Sequence, residues 1–127
     1  MKNGVNLVID SNILIYWLLG DTYAAEILSE NFISYSIITE IEVKGHISLI
    51  SDQQKIKLQK VLNRFHKISL TEEIKELAVE YKIKYNLKTP DAIIASTARF
   101  LKFPLVTADR KVIKVENIVT VLFSPEK

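Results

Sequence analysis

Cysteine is absent from this sequence, and glycine and proline occur only three times each. Without cysteine there is no disulfide framework, no thiolate nucleophile and no cysteine-based zinc site. The same absence suits a reducing cytoplasm, the compartment expected for the chain. So little glycine and proline, with no repeat and no low-complexity stretch, leaves no linker and no second segment to set apart. Histidine is scarce too: His46 and His66 do not stand at metal-ligand spacing, and both read as surface or packing residues. No glycine-rich phosphate loop is present, and no serine sits in a nucleophile elbow with a histidine partner. The longest apolar run, residues 13–19, is far too short to span a bilayer. The N-terminal residues lead directly into a short apolar stretch and an aspartate, which is not the pattern of a signal peptide.

What is present is enough for one folded domain over residues 1–127, with 48% hydrophobic and 25% charged residues. The net charge of +2 says little about partners, but its distribution says more. Lys55, Lys57, Lys60, Arg64 and Lys67 fall within 13 residues that contain no acid. Arg99, Lys102, Arg110, Lys111 and Lys114 form a second group, interrupted by Asp109. Clustered cations suit a polyanionic backbone, although solvated helix faces use the same residues.

Apolar patterning predicts a buried strand over residues 5–9, closed by Asp10-Ser11-Asn12. Helices are expected over 12–19 and 23–29, a strand over 32–35 and a helix over 37–47. Ser51 marks the start of a helix covering 55–65, with apolar positions at 58, 61, 62 and 65. A strand over 66–70 and a helix from Thr71 to Tyr85 follow, with acids in the first turn where the helix dipole favours them. Thr89-Pro90-Asp91 reads as a helix start, Thr89 capping and Pro90 in the first position, and that helix runs to Leu101. Strands over 104–107 and 117–123 complete the order, with a short helical turn after Asp109. Strands alternating with helices imply parallel pairing through right-handed crossovers. The expected fold is a three-layer α/β/α sandwich around a central five-stranded parallel sheet, with ligands at the carboxyl ends of its strands.

Two strands of buried type, Leu7-Val8-Ile9 and Leu105-Val106-Thr107, each run out into an aspartate: Asp10 and Asp109. In a parallel sheet both ends lie on one edge, so residues 99 apart in sequence meet there. A lone aspartate at such a place is most often a helix cap; two on adjacent strands are harder to dismiss. Each has a polar neighbour two residues away, Asn12 and Thr107. Glu42 shares a helix face with Ile38, Ile41 and Gly45, whereas Glu40 points the other way, toward solvent. A carboxylate in an apolar stripe is costly unless it is paired or bound to metal. Asp91, early in its helix, is favourable there without any function, but Ile93, Ile94 and Ala95 set that helix end against the sheet. Four carboxylates on one edge repel, and only a bound divalent cation relieves them. All-oxygen ligation selects Mg²⁺ or Mn²⁺ over zinc.

Asp10-Ser11-Asn12-Ile13-Leu14, Ser36-Ile37-Ile38-Thr39-Glu40-Ile41-Glu42-Val43, Pro90-Asp91-Ala92-Ile93-Ile94-Ala95 and Val106-Thr107-Ala108-Asp109-Arg110 resemble, in order, the motifs of PIN-domain ribonucleases. The likeness covers nearly the whole chain, and its size is similar to the VapC-type toxins of type II toxin–antitoxin pairs. The resemblance implies a PIN fold in which Asp10, Glu42, Asp91 and Asp109 are the metal-binding and catalytic acids, with Asn12 and Thr107 in support. It implies Mg²⁺- or Mn²⁺-dependent endonucleolytic hydrolysis of RNA, single-stranded or looped, where bases are open to be read. In one respect the sequence departs from the pattern: Lys111-Val112 stand where the family often has an acid followed by an aromatic, which bears on a second metal site. The resemblance also implies an antitoxin protein as partner, a homodimer and no membrane. The 13–19 helix, apolar all round and carrying Tyr16 and Trp17, is the surface expected to bind that partner.

The alternative from another class is a PIN-fold RNA-binding or interaction module with weak or no catalysis, for which Lys111 is the support. A phospho-receiver domain would need an aspartate at the end of the third strand, and residues 66–70 have none. A dehalogenase-type phosphatase would need Asp-x-Asp, and position 12 is asparagine.

Overall fold

The computed structural model describes residues 4–46 and 51–126. Its elements run β1 (Asn6–Ile9), α1 (Ser11–Leu18), α2 (Thr22–Glu30), β2 (Phe32–Ser36), α3 (Ile37–His46), α4 (Asp52–Arg64), β3 (His66–Ile68), α5 (Glu72–Tyr85), α6 (Thr89–Leu101), β4 (Leu105–Thr107) and β5 (Thr120–Leu122). A 3₁₀ helix, Arg110–Lys114, separates β4 from β5. The expected α/β/α sandwich is what forms: a five-stranded sheet in the order β3-β2-β1-β4-β5, parallel at every pairing.

That order follows from the connections. α1 and α2 carry the chain from β1 to β2, and α3 and α4 carry it on to β3, so the sheet grows in one direction. The α5–α6 pair then returns the chain to the other side of β1, and β5 extends that side. Strand order therefore reverses between β1 and β4, and the carboxyl ends of those two strands are where such sheets bind ligands. Helices cover both faces because the strands alternate. Leu7 and Ile9 of β1 join a core with Ile13, Leu28 and Leu62 on the α1, α2 and α4 side. Val8 joins the opposite core with Ile74, Ile94 and Leu105 on the α5 and α6 side. Near-continuous apolar strands are what a sheet buried on both faces requires.

Local chemistry fixes the helix starts, and here several expectations move. Ser51 does cap α4, in a reciprocal capping box with Gln54, but the helix begins at once, at Asp52 instead of residue 55. Leu58 and Leu62 are buried and Val61 and Phe65 pack beside them, as the spacing predicted. Thr89 is not a cap. α6 starts at Thr89 itself, with Lys88 in the cap position without a side-chain bond, so Pro90 and Asp91 stand second and third in the helix. Proline tolerates that place as well as the first, since amides there have no partner within the helix. Residue 47, the expected end of α3, lies outside the described residues.

Candidate active site

Backbone joins the carboxyl ends of β1 and β4. The Asp10 amide donates to the Val106 carbonyl at 2.9 Å, which pins the end of β1 to β4. Asp10 then caps α1, its Oδ1 accepting from the Ser11 amide at 2.7 Å. Its Oδ2 accepts from the Thr107 hydroxyl at 2.6 Å. The same hydroxyl oxygen accepts from the Asp109 amide at 3.0 Å, so one threonine ties the two strand-end aspartates into one unit. Asn12 closes the strand ends from the α1 side, accepting the Ala108 amide on its Oδ1 at 3.3 Å. The two supporting residues expected from sequence thus bridge β1 and β4 directly.

Glu42 comes to this edge on α3, which contacts both α1 and α6. Its Oε1 accepts from the Ser11 hydroxyl at 2.5 Å. Ser11 went unassigned in the sequence, although it stands between two assigned residues. It is buried, and its position beside Asp10 at the start of α1 was the available signal. The stripe argument for Glu42 needs correction. The buried positions of α3 are Thr39 and Val43, while Ile41 is 62% exposed. Glu40 is not free in solvent either: it bonds Lys44 at 2.6 Å and Lys67 at 3.2 Å, tying α3 to β3. The Lys44 ammonium, helped by Lys67, holds the Glu40 carboxyl below its ordinary range. The two glutamates nevertheless have different company, cations for Glu40 and a hydroxyl with neighbouring acids for Glu42. Glu40→Gln should therefore cost under about 1 kcal/mol of stability and spare activity, whereas Glu42→Gln should abolish activity and leave the fold intact. Thermal unfolding and a cleavage assay on both variants check this.

Electrostatics at the edge are those of crowded acids. Burial pushes the Asp10 carboxyl up to about 6. The bonds from Thr107 and Ser11 pull it back down, and the charges of Asp91 and Glu42 raise it further. Asp91 is raised as well, by burial first and then by Asp109 and Glu42, with Lys111 and Lys88 opposing. Each of the four acids thus lies in the field of at least one other. Among the described residues none of the four is in an ion pair.

A buried carboxylate bound only by neutral donors, with three more acids nearby, is a donor set that fits a hard divalent cation. Among the described residues no three such side chains already stand close enough together to hold one, so an ion would have to draw them inward.

The cation clusters divide. Of the first, Lys55 pairs with Asp52, Lys67 with Glu40, and the Lys57 ammonium lies 4.6 Å above the Trp17 ring, which is mostly local use. The second splits between the two ends of the sheet. α6 runs away from the acidic edge, which leaves Arg99 and Lys102 at the opposite edge, while Arg110, Lys111 and Lys114 remain on the 3₁₀ helix after Asp109. His46 and His66 are both exposed.

A doubly covered parallel sheet with acids gathered at its switch point is the arrangement that a nuclease family uses. The PIN domain profile matches residues 7–118, and the chain belongs to that family. A comparison with curated proteins gives no match. Among solved structures, the chain resembles one from a toxin–antitoxin complex of Klebsiella pneumoniae, with 29% identity and a TM-score of 0.79, covering 90% of this chain and 96% of that one. The VapBC2 structure from Rickettsia felis, bound to a promoter DNA fragment, is 22% identical, with a TM-score of 0.78 and coverage of 94% and 99%. DNA-bound VapBC from Salmonella typhimurium shares 16% identity at a TM-score of 0.80, covering 92% and 97%. At those last two identities the likeness is one of fold. The PIN-domain resemblance read from the sequence is borne out by the family match, and the fold is shared with these structures from toxin–antitoxin complexes.

Proposed function

We propose that this protein is a Mg²⁺- or Mn²⁺-dependent endoribonuclease, the toxin of a toxin–antitoxin pair, with Asp10, Glu42, Asp91 and Asp109 as its metal-binding and catalytic acids. The observation that carries the reading is the Asp10–Thr107–Asp109 unit across β1 and β4, with Glu42 and Asp91 in its electrostatic reach. Asp10 and Asp91 would hold the ion, which when bound supplies Lewis acidity toward the scissile phosphate and an activated water. The remaining work falls to the chain. Thr107 and the Ser11 amide fix the Asp10 carboxylate in one orientation, and Ser11 fixes that of Glu42. Glu42 and Asp109 then take the proton-accepting and water-orienting places around the phosphate. Ser11→Ala, which frees Glu42 without removing charge, should lower cleavage about tenfold and leave metal binding intact; kinetics and a metal titration on one sample test both halves.

A folded RNA pool incubated with Mg²⁺ tests the activity. Endonucleolytic fragments that vanish with chelator and return with Mg²⁺ are expected. Intact RNA at every metal concentration would favour the alternative, a PIN-fold binding module.

The toxin part of the reading rests on the neighbours and on the surface around α1. Trp17 lines a groove of about 580 Å³ with Ala25, Leu28, Val61 and Phe65, between α1, α2 and α4. Tyr16 is partly covered by Phe123, with ring centroids 5.8 Å apart, and Leu19 is 72% exposed. Neighbouring elements thus cover one part of α1, and the groove beside Trp17, whose ring Lys57 covers on one face, with exposed Leu19, is left for an apolar partner segment, the antitoxin. A second copy is the other proposed partner; Val79 and Ile83, one turn apart on α5, are exposed. Among the described residues no helix is long and apolar enough to cross a membrane. Trp17→Ala should weaken antitoxin binding by about tenfold or more, measured by calorimetry with the purified partner, and leave RNA cleavage unchanged.

A further inference from the structure

We infer that the amino-terminal edge of the sheet, opposite the acidic one, is a second binding site for single-stranded RNA and takes the strand beyond the segment held at the carboxylates. That the strand is RNA rests on the nuclease reading; that the edge suits a single-stranded polyanion does not.

Two cavities of about 300 Å³ each open on this edge, and Phe103, a half-buried ring just before β4, belongs to the walls of both. One lies at the starts of β1, β2 and β3, lined by Asn6, Ser34, Arg64 and His66. The other lies between the end of α6 and the start of β5, lined by Arg99, Lys102 and Asn117. Backbone sets the second. α6 ends on Lys102 at φ 60, the left-handed position where helices most often carry glycine. The Phe103 amide then donates to the Ala98 carbonyl at 3.2 Å, which turns the chain into β4. A side chain is kept where glycine would sit more easily, and it is a cation.

Charge separates these cavities from the others. Among the described residues neither is lined by a carboxylate, whereas Glu26 lines the groove beside Trp17, and Glu26 and Glu30 line the cavity along β5. Glu116, next to Asn117, is turned to Lys84 at 3.8 Å. Arg64 borders the Trp17 groove as well, but it forms no ion pair with Glu26. Among the described residues Arg64, Arg99 and Lys102 are in no ion pair at all. Cations on both sides of a ring, with no acid between them, suit phosphates on the cations and a base on the ring. A duplex keeps its bases stacked inward and has none to offer Phe103, so the single strand is the better fit. Along the sheet the two edges stand on the order of 15 Å apart, a gap that one extended strand bridges.

A fluorescein-labelled single-stranded RNA of about 12 nucleotides, titrated with the full chain in chelator so that nothing is cut, reads binding by anisotropy. The wild type should bind it, with an affinity that falls as salt is added. Arg64→Glu with Arg99→Glu should weaken binding about tenfold or more and flatten the logarithmic salt slope by about 1. Arg64→Lys with Arg99→Lys should preserve both, since a phosphate asks only for the charge. Phe103→Leu, which keeps apolar packing without the ring, should weaken binding about fivefold and leave the slope alone. Lys55→Glu with Lys75→Glu reverses as many charges at residues that line neither cavity, and should change little. The four charged positions are exposed, and circular dichroism checks that every variant folds. No binding by the wild type, wild-type binding by the Arg64 and Arg99 reversal, or an equal loss in the Lys55 and Lys75 control would overturn the proposal. So would polyglutamate that displaces the RNA as well as unlabelled RNA does, which would point to an acidic protein segment instead. In Mg²⁺, the Arg64 and Arg99 reversal should raise KM more for a long RNA than for a short one that reaches only the acidic edge. RNA that binds as expected in chelator but stays intact in Mg²⁺ would sink the nuclease reading and leave this edge a single-strand site.

Discussion

Replacing Asp10 by asparagine should lower RNA cleavage on the order of a thousandfold or more while leaving the metal-free protein as stable as before, or more so. Loss of activity follows from removing the charge at the centre of the site, where an ion needs it most. Retained stability follows from where that charge sits. Asp10 is 7% exposed, is in no ion pair among the described residues and is pushed up to about 6, so ionising it at neutral pH works against the fold. A shift from 3.8 to about 6 corresponds to roughly 3 kcal/mol at most. Asparagine keeps an oxygen for the Ser11 amide and presents an amide group to the Thr107 hydroxyl, which then accepts instead of donating. Losing the charge-assisted character of both bonds offsets part of the gain, and a net change between zero and about +2 kcal/mol is expected. A residue that merely capped α1 would behave the other way, costing about 1 kcal/mol of stability and sparing activity. Chemical unfolding in chelator, beside a cleavage assay, separates the two.

In chelator, stability should fall as pH rises from about 4 to about 6, and in saturating Mg²⁺ that fall should be reversed. The folded-state carboxyl of Asp10 is raised above its unfolded value, so the folded state binds the extra proton between 3.8 and about 6. Its contribution is fully present below the unfolded value and is lost as pH climbs through the folded one. Asp91 acts in the same direction. The metal demands the deprotonated form, so ion binding strengthens over the same interval and stabilises the fold in proportion to the logarithm of ion concentration. Two melting curves plotted against pH, one in chelator and one in Mg²⁺, should therefore diverge as pH rises to about 6 and keep their separation above it. Asp10→Asn should bring them back together. Curves that stay parallel would mean that the ion does not meet these carboxylates.

Much of this arrangement was legible in the residues, for identifiable reasons. Strands buried on both faces write themselves as continuous apolar runs, and Leu7-Val8-Ile9 and Leu105-Val106-Thr107 are such runs. An aspartate directly after each has one place to go once the strands are parallel neighbours. Helix spacing likewise gave Leu58 and Leu62 their buried places. Helix-face reasoning failed on α3, because the stripe that this helix buries runs through Thr39 and Val43 and not through Ile41 and Gly45. Ile41 is left outside, and Glu40 is drawn in by Lys44 and Lys67, the second of which comes from another element. The Thr89 cap failed for a simpler reason: the helix begins one residue earlier, with the Lys88 carbonyl accepting its first backbone bond from Ala92. Ser11 was illegible because its role depends on Glu42, thirty-one residues later, arriving within hydrogen-bond distance. Contacts set by tertiary approach leave no periodicity to read.

Crystals of the full chain soaked in Mn²⁺, with anomalous scattering recorded at the manganese edge, test the central claim most directly. An anomalous peak coordinated by the carboxylates of Asp10 and Asp91, with Glu42 and Asp109 turned toward it, is the predicted result. A map without a peak at the carboxyl ends of β1 and β4, or with manganese bound elsewhere while the four acids stay apart, would contradict it.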